Sequence, residues 1–172
     1  MPKKEEIFYF TQKDYDALLK KIEKINKRLL EVGQDMGEWA RQSSETWHDN
    51  YGFEEGMRQQ MMLSKQLSDY KNLQRRAKII EKNKLATLPI GKVYEVLDIG
   101  STFITKYKIG SYMNFSNDAD KDDEADEEAF TISYETPIAK LLMNKKVGDI
   151  IAGEIGNRKK KLEIMKIYKE ED

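Results

Sequence analysis

At 172 residues, 39% of them hydrophobic, the chain has room for one medium domain or two small ones, and it can bury a core without metals or covalent staples. It has no Cys and a single His, His48, which excludes disulfide frameworks, zinc ribbons and Cys nucleophiles and points to a reducing compartment. Lys and Arg (30) nearly balance Asp and Glu (31), so the net charge of −1 selects neither nucleic acid nor a membrane surface.

The N-terminus follows Lys3 and Lys4 with no long apolar run, and no stretch of the chain is apolar over the length of a bilayer. The expectation is a cytoplasmic protein with no membrane partner. From Tyr15 the apolar residues fall at Tyr15, Leu18, Ile22, Ile25, Leu29, Val32, Met36 and Trp39, alternating steps of three and four, with Lys, Glu, Asn, Arg and Gln between them. This is a heptad seam. Thr11 with Asp14 three residues on is a Thr-x-x-Asp variant of the capping box, which places the helix start near Gln12 or Lys13. A second segment repeats the pattern with Phe53, Gly56, Gln60, Leu63, Leu67, Tyr70, Gln74, Ala77 and Ile80, a seam of mixed polarity.

Two narrow stripes bury best against each other, as an antiparallel coiled-coil hairpin whose tip lies at about residues 42–50. Each arm would be about 45 Å long at 1.5 Å per residue. The other reading of the same stripes is a dimerisation coil or part of a helical bundle.

After Lys84 the character changes. Pro89 and Gly91 introduce short β-prone stretches at 92–97, 103–109, 129–134, 150–155 and 162–168, rich in Val, Ile, Tyr, Phe and Thr and separated by Gly, Asn and Asp. They predict an antiparallel sheet. Thr136-Pro137 before Ile138, Leu141 and Leu142 predicts a capped short helix lying on that sheet, closed near Asn144. The expected division is a hairpin over 1–84 and a sheet domain over 85–172. Between Asp118 and Glu128 stand eight acids and one Lys, a local −7 that leaves +6 for the rest of the chain. The segment 117–128 has too few apolar residues to pack and is expected to be a solvated loop, with repulsion of nucleic acid or contact with a basic partner as the alternative.

The run Ile132-Ser133-Tyr134-Glu135-Thr136-Pro137-Ile138-Ala139-Lys140-Leu141-Leu142, followed by Lys145-Lys146-Val147-Gly148-Asp149, resembles the signature of the GreA/GreB C-terminal domain. It departs at Thr136, where that family usually has Ser, and at Asn144, where it usually has Gly; Thr still caps a helix and Asn still tolerates the left-handed conformation after one. The resemblance implies an α+β chain: an N-terminal antiparallel helical coiled coil and a C-terminal FKBP-like sheet domain. It also implies a function. The hairpin would enter the secondary channel of bacterial RNA polymerase while the sheet domain, with Pro137 and Ile138 at the partner contact, holds the channel rim. Acidic residues at the tip would help hold a Mg²⁺ shared with the polymerase active site beside the nascent RNA 3′ end, and backtracked RNA would be cut by the polymerase. The factor itself would be no enzyme and would hold no cofactor of its own.

The tip reads Glu45-Thr46-Trp47-His48-Asp49-Asn50. Against the family pattern Asp49 takes the place of a Glu and Asn50 that of an Asn, while the first acidic position falls on Thr46 with Glu45 one residue earlier. A borrowed Mg²⁺ wants hard oxygen ligands and keeps several waters, so Glu45 and Asp49 qualify by type as the catalytic carboxylates. Asp49 equally serves as a cap for the second helix, alone or with Thr46. Trp47 on an exposed turn either folds back on the hairpin or anchors a partner, and His48 and Asn50 join it as candidate partner contacts. Arg58, Lys65, Lys71, Arg75, Arg76 and Lys78 could steer RNA or simply be a solvated face.

Three rivals follow. A Gre-like regulator would occupy the channel and inhibit or tune the polymerase without stimulating cleavage. A peptidyl-prolyl isomerase would need an aromatic-lined pocket, for which the Tyr and Phe of the strands form no evident cluster in sequence. A coiled-coil adaptor would self-associate, whereas the mixed second seam favours pairing within one chain and a monomer.

Overall fold

A computed structural model describes residues 6–42, 51–80, 88–100, 103–114, 129–155 and 158–169. The order of elements is β1 (Phe8–Phe10), α1 (Gln12–Gln42), α2 (Tyr51–Arg76), β2 (Ala77–Ile79), β3 (Lys92–Asp98), β4 (Ile104–Gly110), β5 (Phe130–Ser133), α3 (Pro137–Leu142), β6 (Ile150–Ile155) and β7 (Arg158–Lys169). The chain divides into two compact units, one made of Met1–Ile7 and Asp16–Ala77, the other of Phe8–Tyr15 and Lys78–Asp172.

In the helical unit the predicted stripe of α1 is the buried one. Leu18, Ile22, Ile25 and Val32 are buried and Leu29, Met36 and Trp39 half-buried, each three or four residues from the next, while the Lys and Glu between are mostly exposed. On α2 the buried residues are Gly56 and Leu73, with Phe53, Leu63, Leu67, Tyr70 and Gln74 half-buried. The sequence stripe is corrected at three points. Gln60 is exposed and Gln59 half-buried instead, because a 3.6-residue period lets 59 and 60 straddle the seam. Ala77 and Ile80 lie beyond the end of the helix at Arg76.

The sheet unit holds a five-stranded sheet in the order β5-β4-β3-β7-β6. Its strands match the predicted stretches closely, with β7 running twelve residues so that it can pair with both β3 and β6. Three of its four ladders are antiparallel, but β4 and β5 pair in parallel, Tyr107 opposite Phe130 and Gly110 opposite Ser133, so the sheet is mixed rather than antiparallel throughout. The reason lies in connection length: nineteen residues separate β4 from β5, and a connection of a dozen or more permits the parallel return that a tight turn forbids. A register shift between Glu95 and Val96 bends the β3–β7 ladder.

The core of this unit is Ile90, Tyr94, Val96, Ile109, Tyr134, Ile138, Ala139, Leu142, Ile151, Leu162 and Ile164. A large apolar side chain contributes about 1.5–3 kcal/mol when it is fully buried. Helix α3 rests directly on β6, close enough that a Cβ on Gly153 would run into the side chain of Leu141. The residues before α1 also belong here. Phe10 O accepts from Ile80 N–H at 2.9 Å and Tyr9 O from Tyr112 N–H at 3.0 Å, which is why the division falls at residues 15/16 and 77/78 and not at 84/85. No helix among the described residues is long and apolar enough to cross a membrane.

Candidate functional site

Glu45, Trp47, His48, Asp49 and Asn50, together with the acidic segment 117–128, lie outside the described residues. What is described is the pair of helix ends that brackets the first of these segments. Trp39 and Met36 near the end of α1 face Gly52 and Gly56 of α2: a Cβ on Gly52 would sit 3.1 Å from Trp39 Cδ2, and one on Gly56 only 2.5 Å from Met36 Cγ. Two glycines four residues apart lie on one helix face, so α2 can approach the indole with bare backbone. The large α1 residues and small α2 residues interlock there.

At the end of α1 Arg41 Nε donates to Gly37 O at 3.1 Å, which holds a cationic side chain along the last turn, where the helix dipole favours it. At the start of α2 the acids Glu54 and Glu55 pair with Arg58 at 3.7 and 3.6 Å. These pairs are exposed and contribute little stability, but they engage Arg58. Lys65, Lys71, Arg75 and Lys78 are exposed and Arg76 half-buried. The same helix exposes Tyr51 (71%), Met57, Met61 (77%) and Met62 (66%). These apolar residues were not among those picked from the sequence, because their signal is exposure, which periodicity alone does not reveal. Soft, adaptable Met side chains at a surface suit contact with a partner.

The signature in the sheet unit proves to be a set of turn builders. Thr136 caps α3: its Oγ1 accepts from Ala139 N–H at 3.3 Å and donates to Ser133 O at 2.8 Å. Asn144 follows the helix with φ 65°, the left-handed conformation, and Gly148 has φ 88° in the next turn. Asp149 Oδ2 accepts from Lys146 N–H at 2.8 Å and closes that turn. Pro137 is exposed at the first helical position. Ile138, by contrast, is 8% exposed and packed in the core, which removes its side chain from the partner surface expected of it. Exposed groups beside Pro137 include Glu135 and Lys140, joined by an ion pair of 2.6 Å.

An aromatic cluster does form, from residues far apart in sequence. Tyr112 lies 3.9 Å from Phe8, 6.3 Å from Phe10 and 6.5 Å from Tyr134 between ring centroids. Phe8, Phe10 and Tyr134 are buried, so these rings fill space as core and do not line an open pocket. Burial holds the Tyr134 phenol above its usual pKa of 10.0, an effect that the Tyr9 N–H donated to its oxygen opposes and the charge of Glu135 reinforces. Among the described residues no three His, Cys, Asp or Glu side chains are grouped so as to hold a metal ion.

Residues 121–169 match the family model described as "Transcription elongation factor, GreA/GreB, C-term". The chain is 25% identical over 155 residues to the transcription elongation factor GreA of Thermosipho melanesiensis, covering 86% of this chain and 88% of that one. It is 29% identical over 151 residues to GreA of Lactococcus lactis, with the same coverage. Among solved structures, the GreA factor homolog 1 of Thermus thermophilus superposes over 95% of this chain and 99% of that one at 20% identity with a TM-score of 0.43, too loose to weigh. Residues 121–169 are thus similar to the C-terminal domain of GreA/GreB transcription elongation factors, and most of the chain's length is similar to GreA.

Proposed function

We propose that this chain binds bacterial RNA polymerase in its secondary channel and stimulates cleavage of backtracked RNA by the polymerase active site. The reading is carried by one juxtaposition: a GreA/GreB C-terminal domain joined to a two-helix unit whose connecting segment holds Glu45 and Asp49. In it, Glu45 and Asp49 add carboxylate oxygens to a Mg²⁺ held by the polymerase near the RNA 3′ end, and the polymerase performs the hydrolysis. Trp47, His48 and Asn50 contact the channel, with Tyr51, Met61 and Met62 continuing that contact along α2. The protein acts as a cytoplasmic monomer and is no enzyme in its own right.

One feature favours a second reading. Thr46 stands where the family carries its first acidic residue, which is the change expected of a channel-occupying regulator that does not stimulate cleavage. Backtracked elongation complexes with Mg²⁺, incubated with the protein and with Glu45→Ala and Asp49→Ala, separate the two. Cleavage stimulated by the protein and lost in the substitutions supports the first reading. Competition with another channel-binding factor in the absence of any stimulated cleavage replaces it with the second, and absence of both sinks the polymerase assignment.

A further inference from the structure

We infer that Ser111 completes a capping box split across the sequence and is a positioning residue for α1. A helix start leaves its first N–H groups without intrahelical partners. In an ordinary box the N-cap hydroxyl takes the amide of the third helical residue, whose own side chain returns to the N-cap amide. The first half is local here: Asp14 N–H donates to Thr11 Oγ1 at 3.2 Å. The return half is relayed. Thr11 N–H donates to Ser111 Oγ at 2.9 Å, and the Ser111 hydroxyl donates to Asp14 Oδ2 at 2.5 Å across 97 residues of sequence. The Thr11 hydroxyl donates to the same carboxylate oxygen at 2.8 Å. Thr11 Oγ1 also lies 3.4 Å from Ser111 Oγ, but a hydroxyl has one proton, and the shorter bond to a charged acceptor takes it.

Ser111 is inaccessible and Asp14 6% exposed, with Thr11 half-buried beside them, so for the Ser111–Asp14 bond neither water nor a surface cation replaces a lost partner cheaply. Its members all lie in the sheet unit, Thr11 and Asp14 in Phe8–Tyr15 and Ser111 directly after β4. The segment leading into it is fastened residue by residue. Tyr9 N–H donates to Tyr134 Oη at 3.1 Å, Tyr9 O accepts from Tyr112, and Phe10 O from Ile80. The start signal of α1 is therefore complete only when the sheet supplies Ser111. Because α1 continues for 31 residues, about 46 Å at 1.5 Å per residue, a 5° rocking of its first turn carries the far end by roughly 4 Å. A reaction assembled at that end loses on the order of 100-fold for about 1 Å of misplacement.

The role in activity rests on the polymerase reading above; the relay itself does not. The experiment uses the full chain as Ser111→Ala, with Ser111→Cys keeping the volume while weakening both bonds, and Thr11→Ser as the variant that keeps every bond. Hydrogen exchange followed by mass spectrometry should show the amides of Gln12–Leu18 exchanging at least about tenfold faster in Ser111→Ala and Ser111→Cys, with those of Val96 and Ile164 unchanged and Thr11→Ser like the parent. In backtracked complexes the same two variants should lower the cleavage rate at saturating factor. A mere loss of folded protein would raise only the half-saturating concentration. Unchanged exchange in the first turn overturns the relay. Faster exchange with an unchanged saturating rate overturns the positioning role, and a parent protein without effect on polymerase removes the proposed function while leaving exchange to decide the relay.

Discussion

Replacing Gly56 by Ala adds one methyl where α2 passes α1. Helix propensity alone favours the change by about 1 kcal/mol. The new Cβ, however, would stand 2.5 Å from Met36 Cγ, 3.0 Å from Trp39 Cζ3 and 3.2 Å from Met36 Sδ, whereas carbon atoms pack best about 3.5–4.0 Å apart. Met36 Cγ sits near the root of its side chain, so it clears the methyl only by changing its first torsion or by parting the helices. Such overpacking costs about 1–3 kcal/mol, and the net expectation is a loss of about 1 kcal/mol. Met36→Ala removes the nearer obstacle and leaves Trp39 Cζ3 at 3.0 Å. In that background Gly56→Ala should be close to neutral or slightly stabilising, giving a coupling of about 1–2 kcal/mol between the two positions. Urea unfolding followed by far-ultraviolet circular dichroism and tryptophan fluorescence measures all four proteins. A stabilising Gly56→Ala in the parent, or equal effects in both backgrounds, would refute the close approach of α2 to Met36.

Loss of the α3 cap in Thr136→Ala should cost about 1 kcal/mol in urea unfolding, with Thr136→Ser close to neutral. Asn144→Val forces a β-branched residue into φ 65° and should cost about 1–3 kcal/mol, while Asn144→Gly should be tolerated or slightly stabilising, both read as shifts in Tm. Burial raises the pKa values of Tyr94 and Tyr134 above 10.0, so their neutral forms contribute stability that is fully present below pH 10 and is lost as pH rises through the folded values. Urea midpoints measured from about pH 9 upward should therefore fall beyond about pH 10, and less steeply in Tyr134→Phe. At neutral pH that variant should cost about 1–3 kcal/mol because Tyr9 N–H loses its acceptor.

The sequence determined whatever depends on a short span of chain. The heptad steps of α1, the Thr11 cap, the β-prone stretches and the Thr136-Pro137 start of α3 are local preferences of backbone and side chain, and each is found where it was expected. The signature at 132–149 was legible for the same reason, since Thr136, Asn144, Gly148 and Asp149 specify turns by their own conformations and bonds.

Tertiary structure decided what depends on distant residues meeting. It set β4 and β5 parallel, chose Gln59 over Gln60 for the seam, and drew Phe8–Tyr15 into the sheet unit. It also sank Ile138 into the core while leaving Met61 and Met62 exposed, a distinction that hydrophobicity cannot make because all three are apolar. The split cap shows the limit most plainly. Thr11 and Asp14 announce a helix start on their own, but nothing local to them or to Ser111 encodes that the return bond comes from 97 residues away, because a hydroxyl acquires a partner only through the fold that buries it.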